Sequence, residues 1–249
     1  MEFSENALVL KVGRFKEADM WVRFFTPTRG VLTAFAFGGC KSRRRFCGCL
    51  DALNQVRFRV KSNRAGTYLC LMEGSLLKTP AMLRQDTTRM GLMANCIKFV
   101  EAAFRGPDGA NTIHGLLVDA LDVLDGEQEV SNAFPMLFRA KMLCELGFGP
   151  NLQDCCVCGA KLDTVAAPQF LISEGRLTCG HCRGRSSGNS LSVSAGALKT
   201  LDFIRSRGPE QWRRLALDPP VRREFAEMVD SAITYHLGLN WDRGAFRRV

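Results

Sequence analysis

The sequence predicts an α+β protein, in which an N-terminal five-stranded barrel is followed by a helical region. Residues 7–77 contain five short runs rich in β-branched and aromatic residues. Beyond residue 80 the apolar residues recur with a helical period instead. Two Cys-x-x-Cys pairs interrupt the helical region. A chain of 249 residues is long enough for two domains, which are predicted to comprise residues 1–80 and 81–249.

The five predicted strands follow one another closely and are separated by turn residues. They comprise residues 8–12, 20–25, 31–37, 56–61 and 67–72. Residues 26–30 (Thr-Pro-Thr-Arg-Gly) are typical of a turn, with proline early and glycine late. Residues 56–61 alternate strictly, so one face is apolar and the other carries three cations. A small closed barrel suits such strands, because closure removes exposed edges.

The helices are predicted from apolar stripes and from residues that begin or end helices. Residues 92–103 carry one stripe, which ends before a Gly-Pro pair. Residues 113–124 form a second helix candidate. Ser131 is the candidate N-cap of a third helix, which ends at Gly147. Two more helices are predicted over residues 194–207 and 221–237.

Positive charge is concentrated in the first third of the chain. The formal net charge is +9, and residues 1–80 hold 14 Lys/Arg against 6 Asp/Glu. Residues 81–150 are net acidic, with 6 against 9, and residues 151–249 hold 14 against 10. Charge that served solubility alone would be spread more evenly. The asymmetry therefore predicts a surface for a polyanion within the predicted barrel.

Two groups of cations in the predicted barrel are candidate contacts with DNA phosphates. One lies on the glycine-hinged segment between the third and fourth strands, where Phe46 is a candidate for stacking on an unpaired base. The other is the cationic face of the fourth strand. The alternative interpretation is that the cations of the glycine-hinged segment are only solvated and bind no ligand. The candidate DNA-binding residues are Lys41, Arg43, Arg44, Arg45, Arg57, Arg59 and Lys61.

The two cysteine pairs predict a tetrahedral zinc site. Cys155 and Cys158 are followed, after twenty intervening residues, by Cys179 and Cys182. A Cys-x-x-Cys turn directs two thiolates at one metal ion, and glycines beside each pair let the chain turn tightly. Residues 169–179 are predicted to form a hairpin that delivers the second pair.

Four thiolates complete the tetrahedron and leave no position for a water molecule. The expected cofactor is therefore one structural Zn²⁺ per chain rather than a catalytic ion. His181 is an alternative ligand, although the paired spacing favours Cys182, and Cys156 is interpreted as a bystander. Redox-active or incidental thiols are the remaining alternatives.

No catalytic centre is predicted, so the protein is not expected to be an enzyme. A thiol oxidoreductase would normally need one cysteine pair in a βαβ context, and the second pair argues against it. The chain has only three histidines, so it offers few candidates for the base of a histidine-based catalytic triad. No apolar run reaches the roughly 18 residues that a membrane helix needs. No signal peptide is recognised at the N-terminus, so a cytoplasmic protein is expected.

Several motifs occur together in an order that is specific in combination. Residues 8–10 (Leu-Val-Leu), 17–19 (Glu-Ala-Asp), 25–30 (Phe-Thr-Pro-Thr-Arg-Gly) and 39–42 (Gly-Cys-Lys-Ser) follow one another. Residues 138–150 (Phe-Arg-Ala-Lys-Met-Leu-Cys-Glu-Leu-Gly-Phe-Gly-Pro) then lead into the first cysteine pair. This arrangement resembles the RecO family of recombination-mediator DNA repair proteins, and the resemblance covers most of the chain.

The resemblance implies an N-terminal OB-fold and a helical C-terminal domain with a zinc-ribbon-like insertion at about residues 151–190. It implies binding to single- and double-stranded DNA, strand annealing, and recombinase loading with RecR and single-stranded-DNA-binding protein, in association with the nucleoid. Arg and Lys within residues 199–223 are candidate receptors for that protein's acidic, apolar-ended tail. A zinc-ribbon interaction module with no direct DNA role is the alternative.

Overall fold

The structure is a computed structural model that describes residues 1–42, 44–104, 106–162, 168–184 and 189–249. The chain divides into two compact units. The first comprises Met1–Met93 and Phe104–Glu127, and the second comprises Ala94–Ala103 and Gln128–Val249. The predicted α+β class is confirmed. The predicted domain limits at residue 80 stay a prediction.

Five strands close into a barrel within the first unit, as the sequence predicts. The order around the barrel is β1-β2-β3-β5-β4, and every neighbouring pair is antiparallel except β3 and β5, which are parallel. β1 is long enough to pair with both β2 and β4. The strands are β1 (Glu2–Phe15), β2 (Asp19–Thr26), β3 (Gly30–Ala36), β4 (Gln55–Ser62) and β5 (Leu69–Lys78).

Alternation is clearest along β4, where it separates the barrel core from the outer surface. The rings of Phe24 and Phe58 meet edge to face inside the barrel, with their centroids 5.3 Å apart. Both are fully buried, as are Val22, Ala34 and Val56. Burial of each large side chain contributes about 1.5–3 kcal/mol. The intervening residues of β4 are left on the outer surface, where they are available to bind a ligand, whereas Phe25 of β2 is buried beside Phe104 and His114.

The turn between β2 and β3 depends on glycine. Thr26 Oγ1 donates to the Gly30 carbonyl oxygen and accepts from the Arg29 N–H, each at 3.2 Å. Gly30 has a φ of 72°, and a Cβ there would lie 2.4 Å from the Gly106 carbonyl oxygen. Both the left-handed backbone and this close approach exclude a side chain. The predicted turn over residues 26–30 is confirmed.

Two helices follow the barrel, α1 (Thr87–Ala103) and α2 (Ala110–Leu124). Both predicted helices are confirmed, and each begins a few residues before its apolar stripe. α2 buries Ile113, Leu117 and Leu121 along one side. His114 packs edge to face on Phe25, and burial lowers the pKa of its imidazole. The lowered pKa favours the neutral form of this imidazole.

The described part of the second unit contains four further α-helices, and a π-helical turn (Ile233–Leu237) follows the last of them. The α-helices are α3 (Phe134–Glu145), α4 (Ala195–Ser206), α5 (Pro209–Trp212) and α6 (Pro219–Ala232). Ser194 caps α4, because its Oγ accepts from the Ala197 N–H at 3.2 Å. The prediction of Ser131 as the N-cap of α3 is wrong, since Ala133 occupies that position. The Ser131 hydroxyl instead accepts from the Ala133 N–H, within the turn that precedes the helix.

Two small β elements complete the second unit. β6 (Gln169–Leu171) and β7 (Arg176–Thr178) form the predicted hairpin, and β8 (Ser190–Ser192) adds a third strand beside β6. β9 (Leu239–Asp242) and β10 (Ala245–Arg248) form a C-terminal hairpin that the sequence does not predict. Among the described residues, no helix is both long enough and apolar enough to span a bilayer.

Candidate nucleic-acid interface and metal centre

The four predicted metal ligands come together in one cluster. The sulfur atoms of Cys155, Cys158, Cys179 and Cys182 all lie within 4.8 Å of one another. The Sγ atoms of Cys158 and Cys179 are 3.6 Å apart. Three of the four residues are buried, whereas Cys158 is exposed. The cluster therefore lies just beneath the surface, with one side open to solvent.

Backbone hydrogen bonds fix the first cysteine turn. The Cys155 N–H donates to the Ala160 carbonyl oxygen at 2.8 Å, and the Gly159 N–H donates to the Cys155 carbonyl oxygen at 2.9 Å. Gly159 has a φ of 72°, the left-handed conformation that glycine supplies. The Cys156 N–H donates to the Leu177 carbonyl oxygen at 2.9 Å, which ties this turn to the hairpin. The Cys156 sulfur is not part of the cluster.

The hairpin positions the second pair. Cys179 directly follows β7, and the 3₁₀ turn Gly180–Cys182 returns the chain so that the Cys182 N–H donates to the Cys179 carbonyl oxygen at 3.0 Å. His181 is exposed within this turn and is not among the clustered ligands. The paired cysteine spacing therefore predicts the cluster correctly.

The cluster favours a thiolate at Cys155, whereas burial and the neighbouring cysteine side chains raise the pKa of Cys182 to about 12. Burial raises the pKa of Cys155, but the N–H groups of Cys158, Cys179 and Val157 outweigh it and bring that pKa down to about 6. The Cys179 N–H lies 3.3 Å from the Cys155 sulfur. A tetrahedral ion with Zn–S bonds of about 2.3 Å requires sulfur atoms about 3.8 Å apart, and the cluster is close to that spacing. The four cysteines could therefore hold a metal ion.

We call residues 38–46, between β3 and β4, the cationic loop. The predicted DNA-binding cations of this loop differ in their contacts. Lys41 and Arg44 are exposed, and neither forms an ion pair within the described part of the chain. Arg43 lies outside the described residues. The Arg45 N–H donates to Ser42 Oγ at 3.1 Å, and its guanidinium donates to the Phe37 carbonyl oxygen at 2.5 Å. Arg45 therefore stabilises the loop, while Lys41 and Arg44 are free for a ligand.

The expectation that Phe46 stacks on a base is wrong. Phe46 is only 3% exposed and belongs to the barrel core, with Cys49 and Leu50. The Arg45 guanidinium covers its ring at 5.1 Å. The loop folds this ring inward because burial of a phenyl group is more favourable than exposure.

The outer face of β4 carries the three predicted cations. Arg57, Arg59 and Lys61 are exposed and alternate with buried residues, as predicted. The Arg59 guanidinium pairs with Glu2 at 2.7 Å and with Glu73 at 3.3 Å, and Lys61 pairs with Glu2 at 3.7 Å. The hydrogen bond from Arg59 lowers the pKa of Glu2. Arg57 has no ion pair among the residues that the structure describes, so its charge is the least neutralised of the three.

The barrel also carries exposed and half-buried aromatic residues on its outer surface that the sequence does not predict. We call the set formed by Phe15, Trp21, Phe35, Phe37 and Tyr68 the aromatic face. Its signal in the sequence is weak, because aromatic residues in strands normally point into the core. The pairing of neighbouring strands brings these residues to the same surface.

Comparison with known proteins covers the whole chain. The family models "Recombination protein O N terminal" and "Recombination protein O C terminal" match residues 1–79 and 84–243. The chain is 47% identical over 249 residues to the DNA repair protein RecO of Oleidesulfovibrio alaskensis, with 100% of both chains covered. The proteins of that name from Solidesulfovibrio magneticus and Nitratidesulfovibrio vulgaris are 46% and 44% identical, again over 100% of both chains. The chain therefore belongs to the RecO family of DNA repair proteins.

Proposed function

We propose that this protein is a recombination mediator, which binds and anneals DNA strands and helps to load recombinase together with RecR and single-stranded-DNA-binding protein. The supporting observation is a basic five-stranded barrel in a chain that matches the family along its length. These activities consist of binding and rearranging strands, so they need no catalytic centre. They also place the protein on the nucleoid in the cytoplasm.

The proposed DNA surface consists of the cationic loop and the outer face of β4. Lys41, Arg44 and Arg57 offer charges that no described acidic residue neutralises. The predicted set is completed by Arg43, Arg45, Arg59 and Lys61. Arg59 and Lys61 also pair with Glu2, so their charge would be divided between this carboxylate and DNA phosphates. A surface of this kind holds phosphates without reading bases, so binding depends little on sequence.

The proposed cofactor is one Zn²⁺ held by Cys155, Cys158, Cys179 and Cys182. Sulfur ligands in a closed tetrahedron are typical of structural zinc. When bound, the ion links the first cysteine turn to the hairpin of β6 and β7. Its role is therefore to stabilise the second unit.

A salt titration of DNA binding tests the function. The zinc-loaded chain should bind both an oligothymidylate and a short duplex, and the logarithm of each affinity should fall linearly with the logarithm of salt concentration. It should also accelerate annealing of complementary strands. An interaction module with no direct DNA role would bind neither DNA at about 50 mM salt while retaining its protein partners, and that outcome would reject the proposal.

A groove beside α4 is the proposed receptor for the acidic, apolar-ended tail of single-stranded-DNA-binding protein. Its volume is about 960 Å³. Leu152, Leu198 and Phe203 supply apolar lining, and Lys199 and Arg207 supply exposed cations at its edge. Apolar pockets bordered by cations complement a peptide that ends in apolar residues after an acidic stretch.

Charge reversal at the groove should weaken tail binding. Lys199→Glu with Arg207→Glu places like charges against the acidic peptide, so we expect its affinity to fall by about tenfold or more in fluorescence anisotropy. The matched control is Arg247→Glu with Arg248→Glu, which reverses two exposed charges on β10, outside both the groove lining and residues 199–223. An equal loss in both variants would indicate a general charge effect and would contradict the assignment of the groove.

A further inference from the structure

The aromatic face is a contiguous surface on the barrel, in which Trp21 and Phe35 are half-buried and the other three residues are exposed. The ring centroids of Phe15 and Phe35 are 5.1 Å apart, and those of Phe35 and Phe37 are 6.1 Å apart and nearly parallel. Tyr68 lies 5.7 Å from Phe35 and 6.2 Å from Phe37. Phe15, Phe37 and Tyr68 are 41%, 39% and 41% exposed. Contiguous exposed aromatic rings of this kind mark a binding surface more often than isolated apolar residues do.

The strands hold this surface in a defined arrangement. Gly13 pairs with Trp21, Trp21 pairs with Phe35, and Phe35 pairs with Cys70, so one row of outward positions crosses four strands. A Cβ on Gly13 would lie 2.4–2.5 Å from atoms of the Trp21 indole. Glycine is required there, because the indole lies directly on the β1 backbone.

The loop that carries Tyr68 is also held in place. Asn63 Oδ1 accepts from the N–H groups of Thr67 and Tyr68, at 2.8 and 3.2 Å. The Asn63 N–H donates to the Tyr68 carbonyl oxygen at 3.0 Å. The tyrosine ring is thus presented by an ordered turn, and little conformational entropy is lost when a ligand stacks on it.

Cations surround the aromatic face. Lys11 Nζ lies 5.9 Å from the centroid of the Trp21 ring, and Lys16 Nζ lies 5.5 Å from that of Phe15. Arg64 is exposed in the same loop as Tyr68. Across the described ranges of the chain, none of these three cations forms an ion pair. Their charge favours a polyanionic ligand, and the rings favour a ligand with flat apolar surfaces.

Single-stranded nucleic acid combines both properties. Its phosphates are anionic and its bases are free to stack on aromatic side chains, whereas a duplex keeps its bases stacked inside the helix. We infer that the aromatic face stacks unpaired bases of single-stranded DNA, with Lys11 and Lys16 on the neighbouring phosphates, and gives the barrel a preference for single strands over duplex. This inference rests on the proposed function, since it requires that the barrel bind DNA.

Removing Phe37, which follows β3, and Tyr68, which precedes β5, tests this inference. The zinc-loaded variant Phe37→Ala/Tyr68→Ala should bind an oligothymidylate about 5- to 150-fold more weakly for each stacked base that it loses. Its affinity for a short duplex should stay within about twofold, because a duplex has no free bases to stack. Its salt slope should be unchanged, because no phosphate contact is removed. The conservative variant Phe37→Tyr/Tyr68→Phe should keep single-strand affinity.

A control removes two exposed apolar side chains from elsewhere on the first unit. Leu77→Ala/Met82→Ala should leave both affinities unchanged, since these side chains lie outside the aromatic face. Circular dichroism checks that every variant is folded. If the Phe37/Tyr68 variant does not fold, the single variant Tyr68→Ala replaces it in the same measurements. The Tyr68 side chain is exposed on a turn, so this change should not prevent folding.

Four outcomes would overturn the inference, and the first three leave the proposed function intact. Unchanged single-strand affinity in a folded variant would exclude base stacking there while leaving the proposed function intact. Equal loss for single strands and duplex, with a flatter salt slope, would mean that the face contributes phosphate contacts only. A change in oligomeric state without a change in DNA affinity would identify the face as a protein interface. Failure of the unmodified chain to bind any DNA would instead reject the proposed function and this inference together.

Discussion

Replacing Cys158 and Cys182 with serine should remove zinc from the protein and unfold the region around the cysteine cluster. Each cysteine turn would keep one ligand, and a serine hydroxyl does not replace a thiolate. Structural zinc contributes roughly 10–16 kcal/mol of apparent binding free energy in small zinc-finger peptides, while whole domains are stable by only about 5–15 kcal/mol. Metal analysis should find much less than one zinc per chain, and thermal unfolding should shift to lower temperature. Cys158→Ser alone should lower both quantities less.

The fold explains why the loss should be large. β6, β7 and β8 have only three residues each, and a sheet this small is not stable by itself. Phe170 and Leu177 are buried there, so loss of the metal would expose apolar side chains. Chelation of zinc from the unmodified chain should therefore reproduce the behaviour of the double variant.

Cys156→Ser is the matched control for the zinc experiment. This cysteine is exposed and directly follows Cys155, but its sulfur lies outside the cluster. The control should keep zinc and stability near those of the unmodified chain. Full zinc retention by the Cys158/Cys182 double variant would exclude the four-cysteine site.

The metal cluster and the barrel could be predicted because their signals are local. Two cysteines three positions apart form a ligand turn by themselves, and the alternation of Val56, Phe58 and Val60 with cations defines one buried face within β4. The ends of the strands are harder to predict from the sequence. β1 starts at Glu2 rather than near residue 8, because its first residues pair with β4, as in the pairing of Glu2 with Lys61. That partner is distant in the sequence.

The details of the predicted DNA surface depend on such distant partners. Glu2 lies 57 positions from Arg59, so the sequence does not show that this cation is already paired. Phe46 looks like a loop residue until the barrel closes around it. The C-terminal hairpin was missed for the same reason, since Phe246 packs on Phe99 of α1, 5.0 Å away, and on Trp241 at 4.8 Å. Local patterns identify elements, whereas tertiary contacts decide which side chains remain free.

This difference between free and paired cations leads to a prediction about DNA binding. Changing Lys41, Arg44 and Arg57 to alanine should weaken binding to single-stranded DNA and flatten the logarithmic salt slope by about 2, since each phosphate contact contributes roughly 0.7. Arg45 is left intact because it holds the loop through Phe37. The three altered side chains are exposed, so the free energy of unfolding should change by no more than about 0.5 kcal/mol at each site.

The matched control is Arg59→Ala/Lys61→Ala, on the same outer face of β4. Glu2 and Glu73 already neutralise part of this charge, so fewer counterions should be released there when DNA binds. We therefore expect a smaller change in slope per cation than in the Lys41/Arg44/Arg57 variant, measured as binding affinity across a range of salt concentrations. Unchanged affinity and slope in the folded triple variant would mean that Lys41, Arg44 and Arg57 are solvated charges. DNA would then have to be bound by another surface, and a loss of affinity only in the Phe37/Tyr68 variant would indicate the aromatic face.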